Sequence, residues 1–161
     1  MPSPRRVWLL LTRRGLWTAF RANREWAFHR HSLRRARELR TGDIGFVYLT
    51  REGVLAPNCI VAVAEVAGPG HLDPAGFEAE FYPYHVPFKV IAEFHPEIAF
   101  PPLVPSIQFL KRKDRYGVFL QGKSAISLSK HDSRELLRSA LAASSMRQKK
   151  ALLALSIHSS G

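Results

Sequence analysis

Three tryptophans set among arginines are the side chains of this sequence best suited to binding chemistry. Trp8, Trp17 and Trp26 all lie in residues 1–40, a segment with 11 Lys and Arg and 2 Asp and Glu. Indole rings stack on nucleobases and guanidinium groups pair with phosphates, so this composition indicates a surface for nucleic acid. Packing in the core is the competing interpretation. It is favoured for Trp8 in the apolar run VWLLLT, and it is open for Trp17 and Trp26.

The rest of the charge is distributed just as unevenly. The 161 residues include 24 Lys and Arg and 13 Asp and Glu, for a net charge of +11. Residues 1–40 carry a net +9, residues 41–105 a net −6 and residues 106–161 a net +8. If the two basic ends meet in the fold, they form one cationic face around the tryptophans, which is the electrostatic footprint of a nucleic-acid-binding protein.

Motifs for other kinds of site are absent from the sequence. It has no Gly-rich phosphate loop, no dinucleotide fingerprint and no Gly-x-Ser-x-Gly elbow. His29 and His31 form a tight pair with no nearby carboxylate beyond Glu25, and we interpret them as loop or surface residues. Cys59 is the single cysteine, and one thiol builds neither an internal disulfide nor a Cys-based zinc site. We therefore expect a buried, unreactive thiol, no metal, no cofactor and no enzymatic activity.

The sequence also predicts where the protein resides. A single cysteine fits a reducing compartment. The longest apolar run near the start, residues 7–11, is too short for a signal peptide, and no stretch approaches the ~18 residues of a membrane span. We expect a soluble cytoplasmic protein.

The first half of the chain predicts the elements that would position the tryptophans. Residues 7–12 read as a buried strand, and apolar residues at helical spacing predict a short helix from Leu16 to Asn23. Ser32 is the expected cap of a helix over 33–40. The runs 44–50 and 60–66 predict an antiparallel pair across a loop that contains Gly53, Pro57 and Asn58.

The second half predicts further strands and a closing helix. Residues 68–76 form a loop and residues 84–94 a strand, with Pro87 at an edge or bulge position. The prolines between 96 and 105 predict an extended crossing, and residues 116–120 a last strand. Asp132, three residues before Glu135, predicts the start of the closing helix. This order indicates an α+β fold: a small, mixed, mostly antiparallel β-barrel or pseudo-barrel flanked by helices.

Several segments together resemble a known family. The strand 7–12 with Trp17 and Trp26 is followed by LRTGDIGFVY (39–48), IVAVAEVAG (60–68), YPYHVPFKV (82–90) and the stretch 101–132. In order and spacing they resemble the EVE domain of the PUA-like superfamily, over roughly residues 7–141. We therefore expect one domain over residues 1–141. The resemblance does not extend to residues 142–161, an Ala-, Ser- and Leu-containing extension that is a helical addition, a surface for self-association or a frayed end.

The resemblance implies a pocket that, as in the related YTH readers, accepts a flipped modified base. By position, Trp26 and Ala27 would supply one wall, Thr12 a polar group, and Trp17 a second aromatic ring near the mouth. The opposite wall would come from Phe81, Tyr82 or Tyr84. Basic side chains would supply most of the affinity through phosphate contacts, and the candidates are Arg13, Arg14, Arg21, Arg24, Arg30, Arg34, Arg35, Lys111, Arg112, Lys113 and Arg115.

The leading hypothesis is a non-catalytic nucleic-acid-binding module that recognises a modified base in DNA or RNA. One alternative is a general PUA-like RNA-binding protein without modification specificity. Others are a small-molecule pocket and an RNA-cleaving enzyme on a related ASCH-like barrel, for which Tyr48, Lys89, Lys111 and Lys123 are the residues to suspect. A further alternative is an interaction subunit that associates through the Leu-containing extension.

Overall fold

The computed structural model describes residues 4–50, 58–76 and 78–155. The predicted loop around Gly53 and Pro57, and the end of the extension from residue 156, lie outside the described residues. The strands of the described residues are β1 (Val7–Thr12), β2 (Glu25–Phe28), β3 (Ile44–Leu49), β4 (Cys59–Val66), β5 (His71–Leu72), β6 (Tyr84–Ala99) and β7 (Ala125–Ser127). The α-helices are α1 (Arg14–Asn23), α2 (Leu33–Ala36), α3 (Tyr116–Leu120), α4 (Lys130–Ala142) and α5 (Met146–Leu153).

These strands form one curled sheet that closes partway into a half-barrel, in the order β2-β6-β4-β3-β1-β7, with β5 paired to β6. The pair β1 and β3 is parallel, and the other pairs are antiparallel. The prediction of a mixed, mostly antiparallel α+β fold of the PUA-like type is confirmed.

Strand β1 lies between two apolar cores, which explains why all six of its residues are buried. Leu9 and Leu11 face a core that includes residues of α4 and α5, whereas Trp8 and Leu10 face a core built with α1 and β2. A strand covered on both faces reads as a continuous apolar run, as VWLLLT does. Trp8 is fully buried, as predicted, and its indole N–H donates to Asp43 at 3.0 Å.

The 16-residue strand β6 joins β2 and β5 to β4. Its first residues pair with β2 and β5, and from Phe88 onward it pairs with β4 through two register shifts. The strand runs through Pro87, whose carbonyl accepts a hydrogen bond from the Ala67 N–H at 2.9 Å. β6 thereby brings β2, which carries Trp26, to the edge of the sheet opposite β7.

Three predicted segments of the second half differ from the structure, and the first is the predicted loop over residues 68–76, which contains the short strand β5 (His71–Leu72). Residues 116–120, predicted as the last strand, form α3, because Gly117, Val118 and Phe119 are exposed and the place beside β1 is taken by β7. The predicted extended crossing contains a 3₁₀ segment, Pro101–Ser106. The φ that proline fixes lies within the 3₁₀ range, so prolines there exclude a long helix but not short turns.

The predicted helix caps are also corrected. α2 is a single turn, and Ser32 does not cap it; instead, the hydroxyls of Ser32 and Ser124 lie 2.8 Å apart. α4 begins after Ser129, whose hydroxyl accepts from the Asp132 N–H. Asp132 is buried and accepts hydrogen bonds from the backbone N–H groups of Gln108 at 2.7 Å and Phe109 at 3.1 Å. It therefore anchors the chain before α3 rather than starting a helix.

The extension after residue 142 continues into the same core. Leu152 and Leu155 are buried in the core that includes α4, and the side chain of Gln148 donates to the carbonyl of Glu93 at 2.6 Å. Residues 146–153 are thus a helical addition that packs on β6. None of the α-helices in the described ranges has both the length and the apolar character needed to cross a bilayer.

Candidate functional site

A cleft of about 480 Å³ opens where β1 ends, between β2 and the turn before β7. We refer to it as the central cleft. Four of the predicted pocket residues, Thr12, Trp26, Ala27 and Tyr82, line it together with Arg13 from the predicted phosphate contacts. The remaining lining residues are Leu11, Leu16, His29, His31, Ser32, Thr50, Gly122, Lys123 and Ser124.

Backbone hydrogen bonds between distant segments form the floor of the central cleft. The carbonyl of Thr12 accepts from the Thr50 N–H at 2.9 Å, and the Leu11 N–H donates to the carbonyl of Ser124 at 2.9 Å. The paired hydroxyls of Ser32 and Ser124 join the wall after β2 to the turn before β7. The cleft therefore presents hydroxyl groups on a floor held by three parts of the chain.

Trp26 contributes little of its surface to the cleft, because its indole lies in a cluster of aromatic rings. Its exposed fraction is 3%, and its ring centroid lies 5.0 Å from Phe20, 6.1 Å from Trp17, 6.2 Å from Phe88 and 6.3 Å from Phe28. The resemblance implied that Trp26 forms a wall of the pocket. In the structure Trp26 does line the cleft, and its ring is held in place by packing against these four rings.

The accessible rings at the mouth of the central cleft belong to Tyr82, His29 and His31. The two imidazoles stack at 4.7 Å, and the Tyr82 ring stands edge-on to His29 at 5.4 Å. Burial, followed by the charges of His31 and Arg30, lowers the pKa of His29, so this ring is neutral at pH 7. Its Nδ1 accepts from the His31 backbone N–H at 3.2 Å, which leaves Nε2 as a donor.

Three predicted pocket residues lie outside the central cleft. Trp17 is buried and stacks on Phe88 at 5.9 Å, behind Trp26 rather than at the mouth, because it lies on the apolar face of α1. Tyr84 pairs within the sheet, and its ring packs directly against Gly70, where a side chain would not fit. Phe81 is 45% exposed and lies in a neighbouring cleft.

Two neighbouring clefts each share three residues with the central cleft. The acidic cleft, of about 500 Å³, shares Arg13, His29 and Tyr82 and adds Phe81 with Glu78 and Glu80. The tyrosine cleft, of about 630 Å³, shares Thr50, Gly122 and Lys123 and adds Tyr48, Asn58, Asp114 and Tyr116. A groove thus runs from the acidic cleft across the central cleft to the tyrosine cleft.

The predicted phosphate contacts near the chain start are only partly available. Arg14 pairs with Glu97, with nitrogen to oxygen distances of 2.5 and 2.9 Å, and this contact raises the pKa of Arg14. Arg21 pairs with Glu93 at 2.6 Å and Arg35 with Glu38 at 3.2 Å. The other candidates of this segment are also exposed: Arg13, which lines the central cleft, and Arg24, Arg30 and Arg34.

The basic cluster over residues 111–115 is exposed and partly neutralised from within. Arg112 and Arg115 share Asp114 at 3.7 and 4.0 Å, and the ammonium group of Lys113 donates to the carbonyl of Ile107. Lys111 is exposed, and none of the four basic residues lines the central cleft. The cation that the last third of the chain does supply to this cleft is Lys123.

The residues suspected for RNA cleavage do not gather at one site. Tyr48 and Lys123 line the tyrosine cleft. Lys89, on β6, pairs with Glu65 on β4, and both Lys89 and Lys111 lie outside the three clefts. Burial raises the pKa of Tyr48, which keeps its hydroxyl protonated. The ammonium group of Lys123 lies 4.5 Å from the centre of the Phe119 ring.

The residues that sequence reasoning missed are His29, His31, Ser32, Thr50, Ser124 and Lys123, the last proposed only for cleavage. His29 and His31 are loop and surface residues, as predicted, and they also form the mouth of the cleft. Their position three and five residues after Trp26 was the available signal. Ser124 and Lys123 reach the cleft through the pairing of β1 with β7, and Thr50 through the pairing of β1 with β3, neither of which the sequence defined.

Comparison with known proteins finds a matching family model and similar sequences. The family model described as "EVE domain" matches residues 6–128. The chain is 29% identical over 138 residues to "UPF0310 protein PH1033" of Pyrococcus horikoshii, covering 78% of this chain and 92% of that protein.

Two solved structures share the fold at low sequence identity. Human THYN1 protein, solved in complex with 5-methylcytosine containing DNA, is similar with a TM-score of 0.59 and 13% identity over 87% of this chain and 99% of that chain. The YTH domain of Zygosaccharomyces rouxii MRB1 protein, solved in complex with N6-methyladenosine RNA, gives a TM-score of 0.55 and 14% identity over 86% of this chain and 88% of that chain.

Proposed function

The chain belongs to the EVE domain family, and from this premise we propose that it is a non-catalytic nucleic-acid-binding module that takes a modified base into the central cleft. The observation that carries the proposal is the meeting of accessible rings, hydroxyl groups and cations in one cleft. Tyr82 and His29 supply the rings, Thr12 a hydroxyl, and Arg13 and Lys123 the cations. The bound nucleic acids of human THYN1 and the yeast YTH domain support this function by analogy of fold.

The size and chemistry of the central cleft suit an extruded base. Its volume of about 480 Å³ lies within the ~300–1,000 Å³ of small-ligand pockets. Flipping a base costs a few kcal/mol, and stacking on an aromatic ring returns ~1–3 kcal/mol per base. Tyr82 is suited to this stacking because its backbone is held by the Glu78 carbonyl while its ring lines the cleft. Nε2 of neutral His29 is then a donor for an acceptor on the base edge.

Discrimination of the modification has to come from the fit of the cleft. Burying one methyl group contributes only about 0.8 kcal/mol, so affinity rests mainly on stacking and on phosphate contacts. The packed indole of Trp26 gives the cleft a rigid wall, because four neighbouring rings restrict its movement. A rigid wall excludes or accepts a methyl group more sharply than a mobile one.

Charge favours one direction for the bound strand. Glu78 and Glu80 line the acidic cleft and would repel phosphates, whereas Lys123 lies between the central and the tyrosine cleft. We therefore expect the nucleotide chain to leave the central cleft past Lys123. Tyr116 in the tyrosine cleft offers a further aromatic side chain to the neighbouring nucleotide.

The proposal is tested by fluorescence anisotropy with matched DNA and RNA oligonucleotides that carry 5-methylcytosine, N6-methyladenine or no modification. We expect tighter binding to one modified oligonucleotide. The substitution Tyr82→Ala removes the stacking ring and should weaken binding by roughly 5- to 150-fold, whereas Tyr82→Phe should retain it. Phe81→Ala is the control, since its ring lies in the acidic cleft.

The binding measurements distinguish recognition of a modified base from general RNA binding and from the absence of nucleic-acid binding. Equal affinity for modified and plain oligonucleotides with steep salt dependence would replace the proposal with the general RNA-binding alternative. No binding to any oligonucleotide would remove both. Thermal unfolding of Tyr82→Ala confirms that a loss of binding reflects the cleft and not the fold.

A further inference from the structure

A group of metal-ligating side chains lies beside β2, on the part of the sheet where β5 pairs with β6. Glu25 of β2, His71 of β5 and Asp73 each place one ligand atom so that all three lie within 4.8 Å of one another. Nε2 of His71 lies 3.8 Å from a carboxylate oxygen of Glu25. None of the three lines the central cleft, so the nucleic-acid hypothesis does not use them.

A buried histidine holds the carboxylate of this group from behind. The His85 side chain is 5% exposed, and its Nδ1 lies 3.0 Å from the second carboxylate oxygen of Glu25. Its Nε2 lies 3.2 Å from the carbonyl of Tyr82. Metal-binding carboxylates and imidazoles are commonly oriented by such an outer partner. Here the partner leaves the Glu25 oxygen that faces His71 available for an ion.

The Asp73 carboxylate is positioned by its own loop, where one of its oxygens accepts a hydrogen bond from the Ala75 N–H at 3.1 Å and Gly76 leaves room for it. The carboxylate of Asp73 packs on Gly76, where an added Cβ would collide with it and would lie 3.0 Å from the His85 ring. Glu25, Asp73 and His85 also line a cavity of about 270 Å³. This cavity leaves room for water molecules that would complete the shell of an ion.

We propose that Glu25, His71 and Asp73 bind one Zn²⁺ ion, with water as the remaining ligand. One imidazole with two carboxylates suits zinc, whereas Mg²⁺ and Ca²⁺ prefer oxygen ligands alone. Bonds of ~2.1 Å in a tetrahedral shell separate neighbouring ligand atoms by about 3.4 Å. The ligand atoms lie 3.8 Å apart for His71 and Glu25 and within 4.8 Å for the whole group, so rotations of the half-exposed His71 side chain and of the Asp73 side chain would bring them to this value.

Such an ion would have a structural effect that reaches the central cleft. It would tie β2 to the segment after β5, and the buried His85 ring lies between Glu25 and the carbonyl of Tyr82, within hydrogen-bond distance of each. A bound ion would therefore fix the segment that carries the Tyr82 ring. The ion itself needs no nucleic acid to bind, so its test is independent of the proposed function.

Isothermal titration of the untagged, metal-free full chain with ZnCl₂, without nucleic acid, tests the site. We expect one ion per chain, and loss of that binding in His71→Ala and in Asp73→Asn. His85→Gln should weaken binding by about 10- to 100-fold, as substitutions of outer partners do. His95→Ala is the matched control, because His95 is also an exposed imidazole near a carboxylate, 3.5 Å from Glu93.

The unfolding temperature gives a second measurement of zinc binding that does not depend on the titration. Zinc that binds only the folded chain raises its unfolding temperature, and this rise should be absent in His71→Ala and present in His95→Ala. Three outcomes would overturn the site: no zinc binding, zinc binding that His71→Ala and Asp73→Asn leave unchanged, or equal binding of MgCl₂. Because His71 is exposed, its substitution should leave the metal-free fold intact.

Discussion

Trp26 packs against four aromatic rings, so a substitution of Trp26 changes the stability of the fold as well as the binding of nucleic acid. Removing a large buried aromatic side chain typically costs about 3–5 kcal/mol. Loss of nucleic-acid binding in Trp26→Ala would therefore mix the loss of the wall with damage to the cluster of Trp17, Phe20, Phe28 and Phe88. Tyr82 separates these effects better, because it is only half buried and its ring faces the central cleft.

Cys59 gives a prediction that belongs to a single residue. Burial, with the hydrogen bond to Glu97 at 3.2 Å, raises the pKa of the Cys59 thiol to about 12 from an ordinary 9.0, although nearby Arg14 opposes the shift. The thiolate is the reactive form. At pH 8 we therefore expect the native chain to react with a thiol reagent roughly 1,000-fold more slowly than the chain unfolded in urea.

The absorbance of released thionitrobenzoate measures this rate, and the unfolded chain is its own control because Cys59 is the only thiol. Comparable rates for the native and unfolded chains would contradict the expected protection. Because the pKa of the folded state is raised, the contribution of this thiol to stability is present below pH 9 and is lost as the pH rises through about 12.

At the scale of elements, the sequence predicts a strand or helix well when its own residues determine it, and poorly when pairing with a distant strand determines it. β1 and the pair β3 and β4 were predicted because their own residues carry the apolar signal. β2 was not, since its four residues become a strand through pairing with β6, where Trp26 lies opposite Val86. The residues of α3 are typical of a strand, yet the edge of β1 is not available to them because β7 pairs with it.

The last helix, α5, offers a matched pair of neighbouring leucines. Leu152 is fully buried in the core with α4, whereas Leu153 is 54% exposed. We expect Leu152→Ala to lower the free energy of unfolding by about 2–5 kcal/mol, because it leaves a cavity in the core. Leu153→Ala should change it by about 0.5 kcal/mol or less.

Urea unfolding followed by circular dichroism measures both variants. The pair also tests whether residues beyond 142 are part of the domain or an appendage to it. A Leu152→Ala chain as stable as the unsubstituted chain would show that α5 contributes little to the core.

At the scale of the whole molecule, the fold brings one cation from each of the two basic thirds of the chain to the same cleft. Arg13 from the first third and Lys123 from the last third line the same cleft, joined by the pairing of β1 with β7. Of the seven pocket residues that the resemblance to the EVE domain implied, the structure brings Thr12, Trp26, Ala27 and Tyr82 together and leaves Trp17, Phe81 and Tyr84 outside the central cleft. The sequence could not indicate Lys123, because only the register of β7 carries this residue there.

The two cations in the central cleft predict how the affinity for nucleic acid depends on salt concentration. Each phosphate contact releases counterions, so the slope of log affinity against log salt falls by about 0.7–0.9 for each contact removed. We expect Arg13→Ala and Lys123→Ala each to lower the slope by this amount, and the double variant to lower it by twice as much, because the two cations act on different phosphates. Anisotropy titrations at four salt concentrations measure the slopes.

Lys89→Ala is the control for this series, because Lys89 is an exposed cation beside Glu65 and outside the three clefts. Its slope should equal that of the unsubstituted chain. If Lys89→Ala lowered the slope as much as Lys123→Ala, binding would follow total charge and not the groove. If Lys123→Ala alone left the slope unchanged, the strand would leave the central cleft on the side of Glu78 and Glu80, against their repulsion, and the assigned path would be wrong.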